Sequence, residues 1–286
     1  MQKLVSVGLQ TIGVLSPRLG GRLAFALWRR PLARGRVRPE EQAVHDAARV
    51  EIVDNVKTYS WGDGERPVLL VHGWRSRASR YAGFISRLLE LGYSPVSYDA
   101  PAHGDSDGDV VSILGHQRII RALEERHGPF EGVIAHSLGV PFALYAVREG
   151  VAAKRLVMIS GVADFGYLTD TFCAQLGLGP KINQQLRRRI ERGYFEGDDQ
   201  IWTRFSVTTG KLELLVIHND EDEIVDPAQA QVLLRNYGDR AHFLPTTGLG
   251  HRRILSDPAV IAEAVAFLQE SDTQDSDVPE GLDLSA

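Results

Sequence analysis

Residues 132–139 read Gly132-Val133-Ile134-Ala135-His136-Ser137-Leu138-Gly139. An apolar run ends abruptly at a serine that has a small residue two places before it and another two places after. That spacing suits a strand turning sharply into a helix. Ala135 and Gly139 would let the two elements approach closely, and the serine would be held in a strained conformation with its hydroxyl exposed. A serine at such a place can also do no more than cap the helix beginning at Leu138. The rest of the chain has to separate a reactive serine from a capping one.

Working outward, short apolar runs at 68–72, 94–98, 132–135, 155–159 and 212–218 alternate with amphipathic segments. The runs are rich in Val, Ile and Leu without polar alternation, as expected of strands buried on both faces. The rhythm predicts βαβ units and a mostly parallel sheet. Tyr81, Phe84, Ile85, Leu88 and Leu89 fall on one helical face, and Gly92 is placed to end that helix. Asp257 and Pro258 open the last helix as N-cap and first-turn residue, with Ile261, Ala264, Val265 and Leu268 as its buried stripe. Between 163 and 210 the strand rhythm is lost over a length too great for an ordinary connection. A small helical lid inserted into the sheet domain accounts for it. Its Phe165, Tyr167, Phe172, Trp202 and Phe205 either line an apolar pocket or fix the lid to the domain.

Ligands of a parallel sheet bind beyond the carboxyl ends of its strands. The chemically capable residues of this chain follow its apolar runs directly. Val71-His72-Gly73-Trp74 follows the first run, and Asp99-Ala100-Pro101-Ala102-His103-Gly104-Asp105-Ser106 follows the second. Asp164 comes after the fourth, and His218-Asn219-Asp220-Glu221-Asp222-Glu223-Ile224-Val225 closes the fifth. Thr247-Gly248-Leu249-Gly250-His251 precedes the last helix. A serine becomes a nucleophile when a histidine takes its proton and a carboxylate orients that histidine. The chain supplies serine, acid and histidine in that order. Asp226 reads as the N-cap of the helix after the acidic cluster.

Together these segments resemble the α/β-hydrolase superfamily over about residues 56–269. Residues 135–139 are similar to the nucleophile elbow G-x-S-x-G, with Ala135 at the first glycine position. Residues 99–106 are similar to D-x-P-G-H-G-x-S, with Ala102 replacing a glycine. Residues 218–225 are similar to H-G-x-x-D-x-x-V, with Asn219 in the glycine slot, and residues 248–251 to a G-x-G-H loop. The resemblance implies an α/β fold: a mostly parallel sheet of about eight strands flanked by helices, with a small helical lid. It implies Ser137 as nucleophile, His251 as base and Asp222 as acid, counting from His218, with Asp220, Glu221 and Asp164 as the alternatives. The backbone N–H groups of Trp74 and Leu138 would form the oxyanion hole, while Asp99 and His103 would shape their loop rather than react. His136, Phe165, Tyr167 and Trp202 are the expected substrate-pocket residues. The implied activity is hydrolysis of a carboxylic ester or thioester of a small to medium acyl group through an acyl-enzyme, with no metal or organic cofactor. Amide or peptide hydrolysis by the same residues and non-catalytic ligand binding stay open. A binder, however, has no reason to retain all three groups.

Composition sets the outer limits. The chain has 286 residues, 43% apolar and 24% charged, enough for one large α/β domain with a sizeable core. Its net charge of -5 argues against nucleic acid as a partner, since phosphate backbones call for a basic face. The single cysteine, Cys173, excludes an internal disulfide and leaves no thiol cluster for zinc. That fits a reducing, cytoplasmic setting. Every charge in residues 1–39 is basic, and every charge in 270–286 is acidic. The expected layout is a basic helical segment over 1–50, the core over 51–162 and 211–270, the lid over 163–210, and a disordered acidic tail over 271–286. Arg18, Arg22 and Arg29 share a helical face flanked by Leu19, Leu23 and Leu27. That face suits a helix packed on the domain, or weak peripheral contact of residues 1–39 with anionic lipid. The uncharged run at 4–17 falls short of the roughly 20 residues a membrane span needs. Arg75, Arg77 and Arg80 read as an exposed basic face, or as groups that meet an anionic substrate.

Overall fold

The strands that the apolar runs predict are present, joined by three that the pattern did not announce. The computed structural model describes residues 10–11, 16–31 and 33–275. The other residues of the basic N-terminus, and 276–286 of the acidic tail, lie outside the described residues. The strands are β1 (Arg49–Val53), β2 (Val56–Ser60), β3 (Pro67–Val71), β4 (Ser94–Tyr98), β5 (Phe130–His136), β6 (Ala153–Ile159), β7 (Glu213–Asn219) and β8 (Ala241–Thr246). Among the described residues they form one eight-stranded sheet in the order β1-β2-β4-β3-β5-β6-β7-β8. The β1–β2 and β2–β4 pairs are antiparallel and the rest parallel. Asp54 and Asn55, at φ 46 and 63, close the β1–β2 hairpin in the left-handed turn that matches strand twist.

The helices are α1 (Pro17–Trp28), α2 (Gln42–Asp46), α3 (Ala82–Glu90), α4 (Ile113–His127), α5 (Gly139–Arg148), α6 (Tyr167–Gln175), α7 (Pro180–Tyr194), α8 (Ile201–Arg204), α9 (Ala228–Tyr237), α10 (Gly250–Arg253) and α11 (Pro258–Asp275). They explain why the central strands are apolar without alternation. Leu69 and Val71 of β3 belong to one buried cluster with Ile120, Ala143 and Leu233 from α4, α5 and α9. Val68 and Leu70 belong to another with Phe84, Ile261 and Leu268 from α3 and α11. Each such aliphatic side chain contributes about 1.5–3 kcal/mol on full burial, so a sheet covered on both faces holds its strands firmly. Asp257 caps α11 as expected, its Oδ1 accepting from the amides of Ala259 and Val260 at 3.0 Å.

The stretch between β6 and β7 is helical, formed by α6, α7 and α8. Ile182, Leu186 and Ile190 of α7 fall four residues apart and join Phe165, Cys173, Ile201 and Phe205 in a third cluster. Helix α1 packs on this unit through Gly20, Gly21 and Ala24, its buried residues. A Cβ on Gly21 would lie 2.3 Å from Gln185 Cβ, so only a bare backbone fits there. Arg18 and Arg22 stay exposed. The N-terminal helix is thus packed through its smallest residues, with Leu23 and Leu27 only partly buried beside the cluster. At the other end, α11 continues to Asp275, inside the stretch read as tail. Among the described residues no helix is long and apolar enough to cross a membrane.

The junction where β5 passes into α5 is tight against main chain. A Cβ on Gly139 would lie 2.3 Å from the carbonyl oxygen of Val71 and 2.8 Å from that of His72. Both are main-chain atoms of β3 and its loop, which cannot move aside cheaply. Gly139→Ala is expected to destabilise the fold by about 2–3 kcal/mol, the scale of overpacking against fixed neighbours. Gly179→Ala, with nothing within 4 Å of its new carbon, should change stability little. Urea denaturation midpoints of the two variants provide the comparison.

Candidate active site

Five loops leave the carboxyl ends of β3, β4, β5, β7 and β8, and they converge on Ser137. This residue occupies the turn between β5 and α5 at φ 57, a left-handed conformation rare for a residue with a side chain. The surrounding backbone enforces it. Ser137 N donates to Ile159 O at 3.0 Å, and Ser137 O accepts from Val140 N at 3.1 Å and Val162 N at 3.4 Å. From the β3 loop, Gly73 comes so close that a Cβ would lie 2.7 Å from Ser137 Cβ.

His251 is the second residue of the short α10 after β8, and its Nε2 lies 3.0 Å from Ser137 Oγ. Its Nδ1 lies 2.8 Å from Asp222 Oδ2. Asp222 is buried in the loop after β7, and its Oδ1 accepts from the amides of Ile224 and Val225, each at 2.9 Å. Burial works to raise the Asp222 pKa. The His251 hydrogen bond and the two amides outweigh it and hold the carboxyl down at about 2. An ionised carboxylate only accepts, so His251 Nδ1 carries the proton. Its Nε2 then presents a lone pair to the serine hydroxyl. The row Ser137–His251–Asp222 can therefore draw a proton from the hydroxyl and stabilise the imidazolium that results.

The other acids do not reach this row. Asp164 is exposed, and its Oδ1 accepts from Gly166 N at 2.8 Å. Asp220 and Glu221 are exposed as well. Asn219, which stands where a glycine was expected, has a task of its own. Its Oδ1 accepts from Leu249 N at 2.9 Å, tying the Asp222 loop to the His251 loop. His136 makes a second tie. Its Nε2 donates to the His251 carbonyl at 2.9 Å, and its ring lies 4.6 Å from the His251 ring.

Gly73, Trp74 and Leu138 line one narrow cleft together with His72, His103, His116, Val111 and Phe142. Leu138 stands at the N-terminus of α5, where an amide has no partner within its helix. His72 holds the cleft floor, its Nδ1 donating to Gly73 O at 2.8 Å and its Nε2 accepting from Ala100 N at 3.0 Å. Phe165, Tyr167 and Trp202 do not line this cleft. Phe165 packs 5.7 Å from Trp202 and 5.3 Å from Phe205, and Trp202 Nε1 donates to Glu191 at 2.8 Å. Tyr167 Oη accepts from Asp226 N at 2.9 Å. These aromatics bind the helical unit to itself and to the loop before α9.

Asp99 is fully buried and makes no contact with the row. Its oxygens accept from Ala78 N, Asp105 N and Tyr59 Oη at 2.8–2.9 Å. Arg77 corrects the expectation of an exposed basic face. It is 2% exposed and pairs with Asp99 at 3.3 Å and Asp105 at 2.7 Å. Arg80, half-buried, pairs with Glu41, and Arg75 alone of the three stays exposed. The charges are taken up by partners distant in sequence, which local reading could not supply. His116, on α4 with no motif around it, likewise gave no local signal. Among the described residues no three His, Cys, Asp or Glu side chains are grouped to hold a metal ion.

His72, His103, His116, His136 and His218 are all buried, and burial pushes each pKa below the ordinary histidine value, His103 to about 4 and His136 to about 3. The fold keeps these rings neutral, while the unfolded chain protonates them below about pH 6.5. The unfolded state then binds more protons, so stability present above that pH declines as pH falls toward 4. Asp222 extends the decline from about pH 4 to about pH 2, between its unfolded and folded values. Urea midpoints at pH 7, 6 and 5 should fall progressively. A constant midpoint would contradict neutral buried rings.

A model of the alpha/beta hydrolase family matches residues 68–264. No curated protein matches the chain. Among solved structures the chain is similar to a proline iminopeptidase-related protein from Thermus thermophilus, at TM-score 0.58 and 18% identity over 78% of this chain and 98% of that one. It is also similar to a monoacylglycerol lipase from Paleococcus ferrophilus, at TM-score 0.54 and 19% identity over 75% and 97%. An esterase from a Rhodococcus species gives TM-score 0.52 and 14% identity over 82% and 100%. At these identities the structural likeness speaks for the fold alone. The sheet order agrees with it, and the family match spans most of the sequence: the chain belongs to the alpha/beta hydrolase family.

Proposed function

We propose that the protein is a serine hydrolase that cleaves a carboxylic ester or thioester of a small to medium acyl group. The observation that carries this reading is the continuous row from Ser137 Oγ through His251 to the ionised Asp222, at 3.0 and 2.8 Å. A serine that only capped α5 would need no imidazole at its hydroxyl. A non-catalytic binder would need neither the carboxylate nor the left-handed turn.

In this mechanism His251 Nε2 takes the Ser137 proton as Oγ attacks the substrate carbonyl. The carbonyl electrons move onto oxygen, where the N–H groups of Trp74 and Leu138 stabilise them. One such donor is worth ~3 kcal/mol of barrier in acyl transfer. The tetrahedral intermediate collapses, His251 protonates the leaving oxygen or sulfur, and the acyl group stays on Ser137. Water then attacks, His251 again takes a proton, and the acid departs with Ser137 restored. Asp222 keeps the imidazole in the useful tautomer throughout. Alkoxides and thiolates leave more readily than amines, which is why ester and thioester cleavage is placed ahead of amide cleavage.

Labelling with a fluorophosphonate, followed by mass spectrometry, tests the nucleophile. Stoichiometric adduct on Ser137, absent from Ser137→Ala, is the expected result; a folded protein that stays unlabelled would sink the proposal. Asp222→Asn should reduce turnover by about 10³- to 10⁴-fold, since the histidine is then left in the wrong tautomer. Asp164→Asn and Asp220→Asn should leave turnover nearly unchanged. Steady-state rates on p-nitrophenyl acetate and butyrate distinguish the three, and faster cleavage of matched anilides would move the assignment to amides.

A further inference from the structure

A second cavity lies away from Ser137, at the amino ends of β6 and β7. Its volume is about 440 Å³, set between α5, the last turn of α9 and the loop from Phe205 to Leu212 that joins α8 to β7. Helix α5 runs from one site to the other. Gly139 begins it beside Ser137, and Arg148 ends it at the cavity ten residues on, about 15 Å away. Pockets for small organic ligands start at about 300 Å³. At about 30 Å³ per water-sized group, this one has room for roughly a dozen non-hydrogen atoms.

The lining changes character with depth. Leu144, Val151, Leu156, Phe205 and Val207 are buried and form an apolar floor. Arg148, Thr208, Thr209 and Lys211 are exposed and stand at the mouth. None of the lining residues is acidic. Lys211 pairs with no acid among the described residues. Arg148 is held in place by donating to Arg204 O at 2.6 Å and to Thr208 Oγ1 at 3.4 Å. Those bonds occupy two of the five N–H groups of its planar fork. Its neighbour Glu149, 3.6 Å from Nε, is exposed, so that pair takes up little of the charge.

A further donor stands there without a partner. Tyr237, the last residue of α9, is 6% exposed, and its hydroxyl makes no hydrogen bond among the described residues. A Cβ on Gly210 would lie 2.5 Å from the phenolic oxygen, which places the hydroxyl beside the lining loop. Burial pushes the phenol up to about 12, and the charge of nearby Arg148 works the other way. The phenol therefore keeps its proton at neutral pH. Buried polar groups are ordinarily paired, and an unpaired one asks for a reason. Phenol, guanidinium and ammonium are all donors, gathered at the edge of an apolar floor. A carboxylate answers them: it only accepts, carries one negative charge and meets an arginine fork with both oxygens. An alcohol brings no charge, and an ammonium can only donate.

We propose that this cavity binds an aliphatic carboxylate of about eight carbons, its chain on the floor and its head between Arg148, Lys211 and Tyr237. The site does not rest on the hydrolase reading, since no residue of the Ser137–His251–Asp222 row lines it. The two readings meet in one respect: ester and thioester hydrolases release carboxylates, so the ligand belongs to the class of the acid product.

Isothermal titration with octanoate and with octan-1-ol tests the site. Octanoate should bind saturably to the wild-type protein, and at least about tenfold more tightly than the alcohol, the scale of one charge-assisted hydrogen bond. Tyr237→Phe keeps the ring and removes the hydroxyl, and it should weaken octanoate binding roughly threefold to tenfold. Arg148→Gln should weaken it roughly tenfold or more. Ser137→Ala should bind octanoate as the wild type does. No saturable binding at millimolar octanoate, equal affinity for acid and alcohol, or an affinity unmoved by both mouth variants would overturn the site. Loss of binding in Ser137→Ala would put the acid beside the serine and overturn it equally. If Arg148→Gln does not fold, Tyr237→Phe and the comparison of ligands decide. Octanoate bound in a Tyr237-dependent way, without any labelling of Ser137, would defeat the hydrolase reading and leave this one standing.

Discussion

The site depends on how closely three backbones approach at the end of β5. Gly73 and Gly139 stand on either side of Ser137 in positions where any side chain would strike main chain or the serine itself. That contact presses the serine into its left-handed turn, directs Oγ toward His251, and sets the start of α5 beside the β3 loop. A strained residue persists only where its surroundings over-determine it. Here the hydrogen bonds to Ile159, Val140 and Val162 supply that determination. The burial of β3, β5 and β6 between two helical layers keeps those partners in place.

The three side chains of the row come from different strand ends, so their alignment needs links between loops. Asn219 bonds the Asp222 loop to Leu249, and His136 bonds the carbonyl of His251. Both links are partly buried polar contacts, stronger than they would be in open water. A second set of links supports the cleft from below. Arg77 joins Asp99 to Asp105, while Glu41 meets Ser79 and Arg80. Arg34 donates to Ser106 O at 2.6 Å, and Trp61 Nε1 to Val44 O at 2.8 Å. Through these contacts the segment before β1 supports the β3 and β4 loops, so part of the basic N-terminus serves the site.

The helical unit over the sheet has a cluster of its own, built from α1 and from α6 to α8. Its aromatics are engaged with one another and with Glu191 and Asp226. They stabilise the unit as it stands, and the polarity of the cleft comes instead from histidines of the sheet domain.

The sequence alone determined the parallel core, because strands buried on both faces must be continuously apolar. It marked Ser137 and His251 as candidates from their neighbours: a serine between small residues and a histidine after glycines. It did not announce β1, β2 and β8, which lie at or near the sheet edges. β1 leaves Val50 and Ile52 more than half exposed, so burial imposes no continuous apolar run there. Only the tertiary structure shows which of Asp164, Asp220, Glu221 and Asp222 meets His251, since all four lie after strands and Asp222 alone is buried. It alone gave Asn219 its task, buried Arg77, and placed His116 among the residues lining the cleft. Those contacts join residues tens of positions apart, and no local pattern constrains which side chains meet across such a distance.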